Sequence, residues 1–400
     1  HFSADFTAGD YIRELRNGDQ AYPPSDLSLY FHFPFCPQLC YFCGCNVIIT
    51  QKEERVNHYL SLLKREIDLV TSYISTDRPV VQMHWGGGTP TFLSVEQIKD
   101  IYSYISNAFN FHPDAEISIE IDPRRLTPEH LPSLRELGFN RVSYGIQDFN
   151  PMVQETINRV QSDEQNNYVL EESRRLGFNS VNLDLIYGLP HQTLESYSET
   201  MKQVIEMSPD RLAVFNYAHV PWLKKHQTIL PVDKMPMPDE RLKMLKMIIE
   251  KLTDADYAFI GMDHFAKPED ELTKALNAGT LHRNFQGYTT RSGTEVLAMG
   301  VSSISQLERS YTQNTKNVRE YEQRLDESIL PINVGICLTD DDIIRRYVIG
   351  EIMCNHRLDF RAVERRYEIN FATYFPDFYQ KLEPFFEDGL VEVDSQSIRV

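Results

Sequence analysis

The sequence has 400 residues, with 40 Lys and Arg against 58 Asp and Glu and a formal charge of −18. That length allows two or three domains around a large core. The acidic balance, with no run of Lys or Arg, excludes an extended nucleic-acid surface, and no stretch reaches the ~18 apolar residues a membrane helix needs.

Residues 1–26 read as an N-terminal arm. Leu27 to Phe33 is apolar and aromatic and reads as a buried strand, interrupted by His32, which suits either a satisfied core histidine or a functional one. The strand runs into a loop with four of the six cysteines, Cys36, Cys40, Cys43 and Cys45. The first three have the spacing C-x3-C-x2-C. Zinc would call for two ligand pairs set apart in sequence, and a disulfide framework belongs to small secreted domains. Three thiolates on one tight loop instead suit three irons of a 4Fe–4S cluster, with the fourth iron open to a ligand. The thiol-rich loop and the lack of a signal segment predict a reducing, cytoplasmic setting. Cys337 and Cys354 stand alone in apolar surroundings and are expected in the core.

Beyond the cysteines, Val56, Tyr59, Leu60, Leu63, Ile67 and Val70 have helical spacing over 53–73. Val80 to Trp85 reads as a second strand ending in Gly86-Gly87-Gly88-Thr89-Pro90. Ser94 and Gln97 form a capping-box pattern for the next helix. Ile117, Ile119 and Ile121 alternate in a third strand over 116–122, and Pro128 opens a helix that ends near Gly138. Strands are predicted over 141–147, 180–187 and 211–218, with helices over 164–176 and from Thr193 to Met207 between them. This alternation demands a parallel sheet with helices outside, and six units predict an α/β fold: a partial, (β/α)6-type, TIM-like barrel over 27–265. A Pro-punctuated connector, a helix over 239–254 and a strand over 257–262 complete it; Met244 and Met247 read as core filling. Residues 266–337 are expected to be a barrel-flanking extension. Residues 338–400 are expected to be a smaller, mainly helical domain with a terminal hairpin, resembling a winged helix. The acidic balance favours a scaffold or lid over DNA binding.

In a parallel barrel the carboxyl ends of the strands meet at one mouth. Here they carry the cysteine loop, the triple glycine, Glu120 and Asp122, Gln147 and Asp148, Asp184, and Asn216 to His219. Three glycines allow either a tight turn or the approach of a ligand to bare backbone. Glu120 and Asp184 follow apolar residues, so each needs a partner: ribose hydroxyls, an ammonium or a neighbouring arginine.

The cysteine spacing and the Gly-Gly-Gly-Thr-Pro stretch resemble the radical S-adenosylmethionine superfamily. The likeness extends to Gly44-Cys45-Asn46, to 144–149 (Tyr-Gly-Ile-Gln-Asp-Phe), to 182–190, to 261–265 and to 282–290. Together these are similar to the oxygen-independent coproporphyrinogen III oxidase family over almost the whole chain. The family's amino-terminal Tyr-Thr-Ser-Tyr-Pro stretch is missing before His1, and the family continues past Val400, so the resemblance predicts a chain trimmed at both ends.

The resemblance implies that Cys36, Cys40 and Cys43 hold the cluster and that Cys45 is a non-ligating cysteine, with Tyr30, His32 and Cys45 as catalytic candidates. It implies two S-adenosylmethionine molecules. The first would be contacted by Tyr30, Gly87, Glu120 and Ile304, the second by Phe42, Gly88, Thr89, Gln147, Arg159, Asp184 and Ala218. The implied reaction is decarboxylation of two propionates of coproporphyrinogen III to vinyl groups, giving protoporphyrinogen IX, by 5′-deoxyadenosyl radicals. Its implied partners are that substrate, a donor such as flavodoxin or ferredoxin, and an unidentified electron acceptor; the expected state is a monomer free of nucleic acid and membrane. Arg124 and Arg283 are candidates for the substrate's carboxylates. A haem-binding relative of the superfamily would carry an aromatic residue where Cys45 stands. A simple iron–sulfur electron carrier would use Cys45 as a fourth ligand and leave the glycines and strand ends without a role.

Overall fold

Strand β1, Leu27–Phe33, divides its residues between two faces as a period of two requires. Leu27, Leu29, Phe31 and Phe33 are fully buried in the main apolar core, with Tyr59, Leu63 and Ile67 of the helix Glu53–Thr71. Ser28, Tyr30 and His32 point the other way. The computed structural model describes residues 1–400, and in it β1 sits near the middle of a twelve-stranded sheet.

The following strands are β2 Pro79–Gly87, β3 Asn110–Ile121, β4 Arg141–Gln147, β5 Ser180–Tyr187 and β6 Arg211–Asn216. After them come β7 Ala258–Gly261, β8 His264–Ala266, β9 Glu295–Met299, β10 Ile304–Gln306, β11 Ser310–Asn314 and β12 Ile332–Cys337. The sheet order is β12-β11-β10-β9-β1-β2-β3-β4-β5-β6-β8-β7. From β1 to β6 each strand runs parallel to the next. β9 is also parallel to β1, in the register Leu27↔Glu295 to Phe31↔Met299.

A buried ion pair bolts β9 into place. Arg78 Nη2 lies 2.7 Å from Glu295 Oε2, with both side chains almost wholly enclosed. Arg78 also donates twice to the Ser25 carbonyl. Such a pair fixes register more than it adds stability.

Local signals set the helix starts. Ser94 and Gln97 form the expected capping box, and Thr193 caps Leu194–Met207 rather than forming its first residue. The helix expected to open at Pro128 instead begins at His130, because Thr127 N and Oγ1 engage His130 Nδ1 in a turn first. β3 starts six residues earlier than its isoleucine alternation suggests. Its first half, with Pro113 and Asp114, has no strand pattern, yet Asn110 and Phe111 pair with Pro79 and Val80.

The chain forms two compact units, His1–Asp270 with Gly293–Ile336, and Glu271–Ser292 with Cys337–Val400. The extension expected over 266–337 is thus divided: β9 to β12 extend the barrel sheet, whereas the helix Glu271–Ala278 and the hairpin His282–Asn284 with Gly287–Thr289 belong to the second unit. That unit has helices Asp340–Asn355, Phe360–Tyr367, Phe371–Tyr374 and Phe378–Glu387. The terminal hairpin gains a third strand, Arg357–Asp359, too short to leave a pattern in the sequence. In that unit Phe360 stacks on Phe371, and Phe378 meets both rings edge-on. Cys354 is buried there as expected, but Cys337, at the end of β12, is exposed. No helix is long and apolar enough to cross a membrane.

Candidate active site

A cavity of about 230 Å³ opens at the carboxyl ends of β1 to β6. Cys36, Cys40, Cys43 and Cys45 line it, together with Phe42, Gly87, Gly88, Thr89, Glu120, Gln147, Arg159 and Asp184. Tyr30, His32, Ala218 and Ile304 are not among its lining residues. Topology therefore brings most of the sequence-derived candidates together from six strands.

The triple glycine is required by the protein's own packing. A Cβ on Gly86 would meet the Glu120 carboxyl at 2.9 Å, one on Gly87 the His32 ring at 2.5 Å, and one on Gly88 the backbone of Pro34 at 2.7 Å. Gly87 also has φ +114°, a conformation that favours glycine. Its amide donates to Glu120 Oε2 at 3.1 Å. The glycines therefore bring β2 against β1 and β3 while exposing backbone to the cavity.

Behind the glycines, His32 Nε2 is 3.0 Å from the Asn46 carbonyl and Nδ1 is 3.2 Å from Tyr30 Oη. A carbonyl only accepts, so Nε2 carries the proton and Nδ1 accepts from the tyrosine. Burial lowers the His32 pKa and keeps the ring neutral. Tyr30 stacks on His84 at 5.9 Å. His84 Nε2 is 3.3 Å from Glu120 Oε1. Burial alone would raise the Glu120 pKa, but the His84 hydrogen bond and charge and the Gly87 amide hold it below the usual value. Asp184 behaves oppositely. Burial, then the charge of Glu120, push it up to about 6 despite hydrogen bonds from Ser143 and Asn182.

Across the cavity stands a cationic group. Asp122 is 2.7 Å from Arg124 Nη2 and 3.2 Å from Arg159 Nη1, and both guanidinium groups reach Cys40 Sγ at 3.6 Å. Arg124 was a candidate for substrate carboxylates, but its fork is engaged bidentately by Asp122. Arg283 lies in the second unit, over the Tyr288 ring. The backbone at the end of β4 is irregular, with Gln147 at φ 70°, and turns the Gly145 carbonyl to accept from Arg159 Nη2 at 2.6 Å. Asp148, expected at the mouth, is buried and held by Gln192 and Thr200.

The cysteine loop is fastened on two sides. Gln38 Nε2 donates to Asn158 Oδ1, and Asn158 Nδ2 donates to the Leu39 carbonyl. From the segment after β6, Gln227 donates to Phe42 O, His226 to Cys43 O and Lys224 to Cys45 O, at 2.8–2.9 Å. Sequence reading missed these residues, because a polar side chain in a connector carries no signal of the carbonyl it reaches 180 residues away.

The donor set suits a polynuclear cluster. The thiols of one loop line one cavity. The Cys43 pKa is lowered, chiefly by its hydrogen bond from Cys45, favouring the thiolate. Burial raises Cys36 to about 12 against a contact with Thr89. Two arginines beside Cys40 offset the negative charge of bound thiolates.

Comparison with known proteins agrees with this chemistry. Residues 30–204 match the family model "Radical SAM superfamily", and residues 338–400 match "HemN C-terminal domain". The oxygen-independent coproporphyrinogen III oxidase of Salmonella typhimurium is 48% identical over 399 residues, which is 100% of this chain and 86% of that protein. The enzyme of that name from Synechocystis is 45% identical over 391 residues, 97% of this chain and 84% of the relative. A solved structure described as "Coproporphyrinogen III oxidase (HemN) from Escherichia coli is a Radical SAM enzyme" superposes with a TM-score of 0.96 at 46% identity, covering 100% of this chain and 91% of that one.

Proposed function

Because the chain belongs to the oxygen-independent coproporphyrinogen III oxidase family of radical S-adenosylmethionine enzymes, we propose that it converts two propionates of coproporphyrinogen III to vinyl groups without oxygen. The observation that carries this reading is one cavity lined by the four loop thiols, by Glu120, Asp122 and Asp184, and by Arg124 and Arg159. Cys36, Cys40 and Cys43 would hold the cluster, leaving Cys45 unligated. When bound, the cluster and S-adenosylmethionine supply one-electron cleavage of a sulfonium and hydrogen abstraction from a propionate β-carbon.

The residues divide the cofactor's recognition between them. Glu120, anionic, suits an ammonium or ribose hydroxyls, and Arg159 suits a carboxylate. Gly87 and Gly88, lacking side chains, leave their backbone within reach of an amino-acid head, while their amides bond Glu120 Oε2 and the Phe33 carbonyl. Tyr30 and His32, neutral and tied to Asn46, order the wall behind Gly87 and contribute no charge. Two S-adenosylmethionine molecules are the reading that gives roles to both Glu120 and Asp184, with Phe42, Thr89, Gln147 and Ala218 on the second and Ile304 on the first. A soluble one-electron donor, an electron acceptor and a cytoplasmic monomer complete the proposal.

The test is an anaerobic reaction of reconstituted protein with coproporphyrinogen III and S-adenosylmethionine, both products being quantified by chromatography. About two molecules of 5′-deoxyadenosine should form per protoporphyrinogen, since each decarboxylation needs its own abstraction. Haem binding without product would favour the haem-binding relative. A ratio near zero with full turnover would overturn consumption of the cofactor.

A further inference from the structure

The segment after β6 has a part that the reaction does not use. Tyr217 and Leu230 are buried with Val153, Ile157 and Leu189, flanked by Tyr41 and Phe42. Between them, Gln227 is wholly buried; it accepts from Val220 N and donates to Phe42 O and Ala218 O. The loop is therefore pinned, yet its tip displays Trp222, 74% exposed, and Leu223, 72% exposed, followed by Lys224 and Lys225. Two large apolar side chains held in water on a fixed backbone mark an interaction site rather than a packing defect.

Charge identifies the class of partner. The cysteine loop from Phe35 to Thr50 has no charged residue. Over 219–234 the charged side chains are Lys224, Lys225 and the neighbouring pair Asp233 and Lys234, 3.3 Å apart. The surface bordering the cysteines is thus locally cationic on a chain of charge −18. An acidic protein, repelled by the molecule as a whole, is drawn to this patch. The same loop touches the backbone of the cysteine loop, with His226 donating to Cys43 O and Lys224 to Cys45 O at 2.8 Å.

We propose that Trp222, Leu223 and Lys225 form the docking surface of a small, acidic, one-electron carrier protein, which delivers its electron across the loop to a cluster at Cys36, Cys40 and Cys43. The proposal rests on the cluster assignment made above. Trp222 is the apolar anchor and Lys225 steers the approach. His226 provides a short hydrogen-bonded route from the loop to Cys43.

The experiment uses reconstituted enzyme, wild type and the double variant Trp222→Ser, Lys225→Glu, neither residue touching the cavity. Anaerobic stopped-flow measures the second-order rate of cluster reduction by flavodoxin hydroquinone, an acidic carrier used as the probe, and by dithionite. The variant should lose about tenfold with flavodoxin at low ionic strength, while its iron content, its dithionite rate and its KM for coproporphyrinogen III stay within about twofold. Added salt should slow the wild type more than the variant. An unchanged flavodoxin rate overturns the surface, as does a raised KM with normal flavodoxin reduction, which would give the patch to the substrate. Equal losses with both reductants also overturn it, by showing a disturbed cluster. Wild-type protein that loads no iron brings down the cluster assignment itself, and the docking proposal with it.

Discussion

Replacing Asp184 by Asn separates a cofactor ligand from a structural carboxylate, because the two roles move stability in opposite directions. Burial and the charge of Glu120 raise this carboxyl from 3.8 to about 6. At 1.36 kcal/mol per tenfold, its ionised form costs the fold about 3 kcal/mol. Partial exposure to the cavity reduces this to about 1–2 kcal/mol. For an acid whose folded pKa is raised, the favourable contribution is complete below 3.8 and is lost as pH rises through about 6. Asp184→Asn removes that loss. Asn182 Nδ2 can still donate to the new carbonyl oxygen, and the Ser143 hydroxyl can turn to accept from the new amide. Chemical denaturation of the metal-free protein should therefore show the variant more stable than wild type by about 1–2 kcal/mol at pH 8, and equal at pH 3.5 if both remain folded. Equilibrium dialysis of the cluster-loaded variant should show weaker S-adenosylmethionine binding, by about tenfold or more for a lost charge-assisted hydrogen bond. The wild-type affinity should fall as pH drops below 6, and the variant's should not. A destabilised variant with unchanged affinity would refute the assignment and make Asp184 a structural residue.

Three further outcomes are expected. Serine at Cys36, Cys40 or Cys43 should abolish bound iron and visible absorption after anaerobic reconstitution, whereas Cys45→Ser should retain both; normal iron in Cys40→Ser would contradict the ligand set. Gly87→Ala should destabilise by about 2–5 kcal/mol in thermal unfolding, because the new methyl meets the His32 ring and the backbone is held at positive φ. Glu66, buried and bonded by Tyr321 Oη, Gly300 N and Asn314 Nδ2, is raised by burial from 4.5 to about 7. The stability it contributes is lost as pH rises through about 7. Glu66→Gln should flatten the fall in denaturation midpoint between pH 5 and pH 8, and an unaltered pH profile would exclude Glu66 as its source.

The parallel barrel was legible because each strand from β1 to β6 is followed by its own helix, with Ser94, Thr193 and the glycine stops marking the joins. The cysteines and Gly86 to Gly88 were legible because the residues of each motif are contiguous. What escaped were pairings across distance. β9 has no helical unit leading back to it, so nothing in Glu295–Met299 announces β1 as its neighbour. Arg124, expected on substrate carboxylates, and Arg159, expected from resemblance alone, show their pairing only once Asp122 and Cys40 are placed between them. The glycine run was readable as a ligand cradle, but its tightest contacts are to His32, Glu120 and the backbone after β1.

The position of β1 between β2 and β9 has a consequence for synthesis. Its two partners enter the chain at residues 79 and 295. As the polypeptide leaves the ribosome, β1 to β6 can assemble in order, but the far side of β1 stays an open edge until Glu295–Met299 has emerged. An unpaired edge invites pairing with other chains. Glu295, which must find Arg78 in the finished protein, is a charged residue that cannot be buried against any other strand without that partner. The late strand therefore carries its own safeguard against docking on the wrong edge. A ribosome that stops before it leaves the strand leading to the cysteines half-paired.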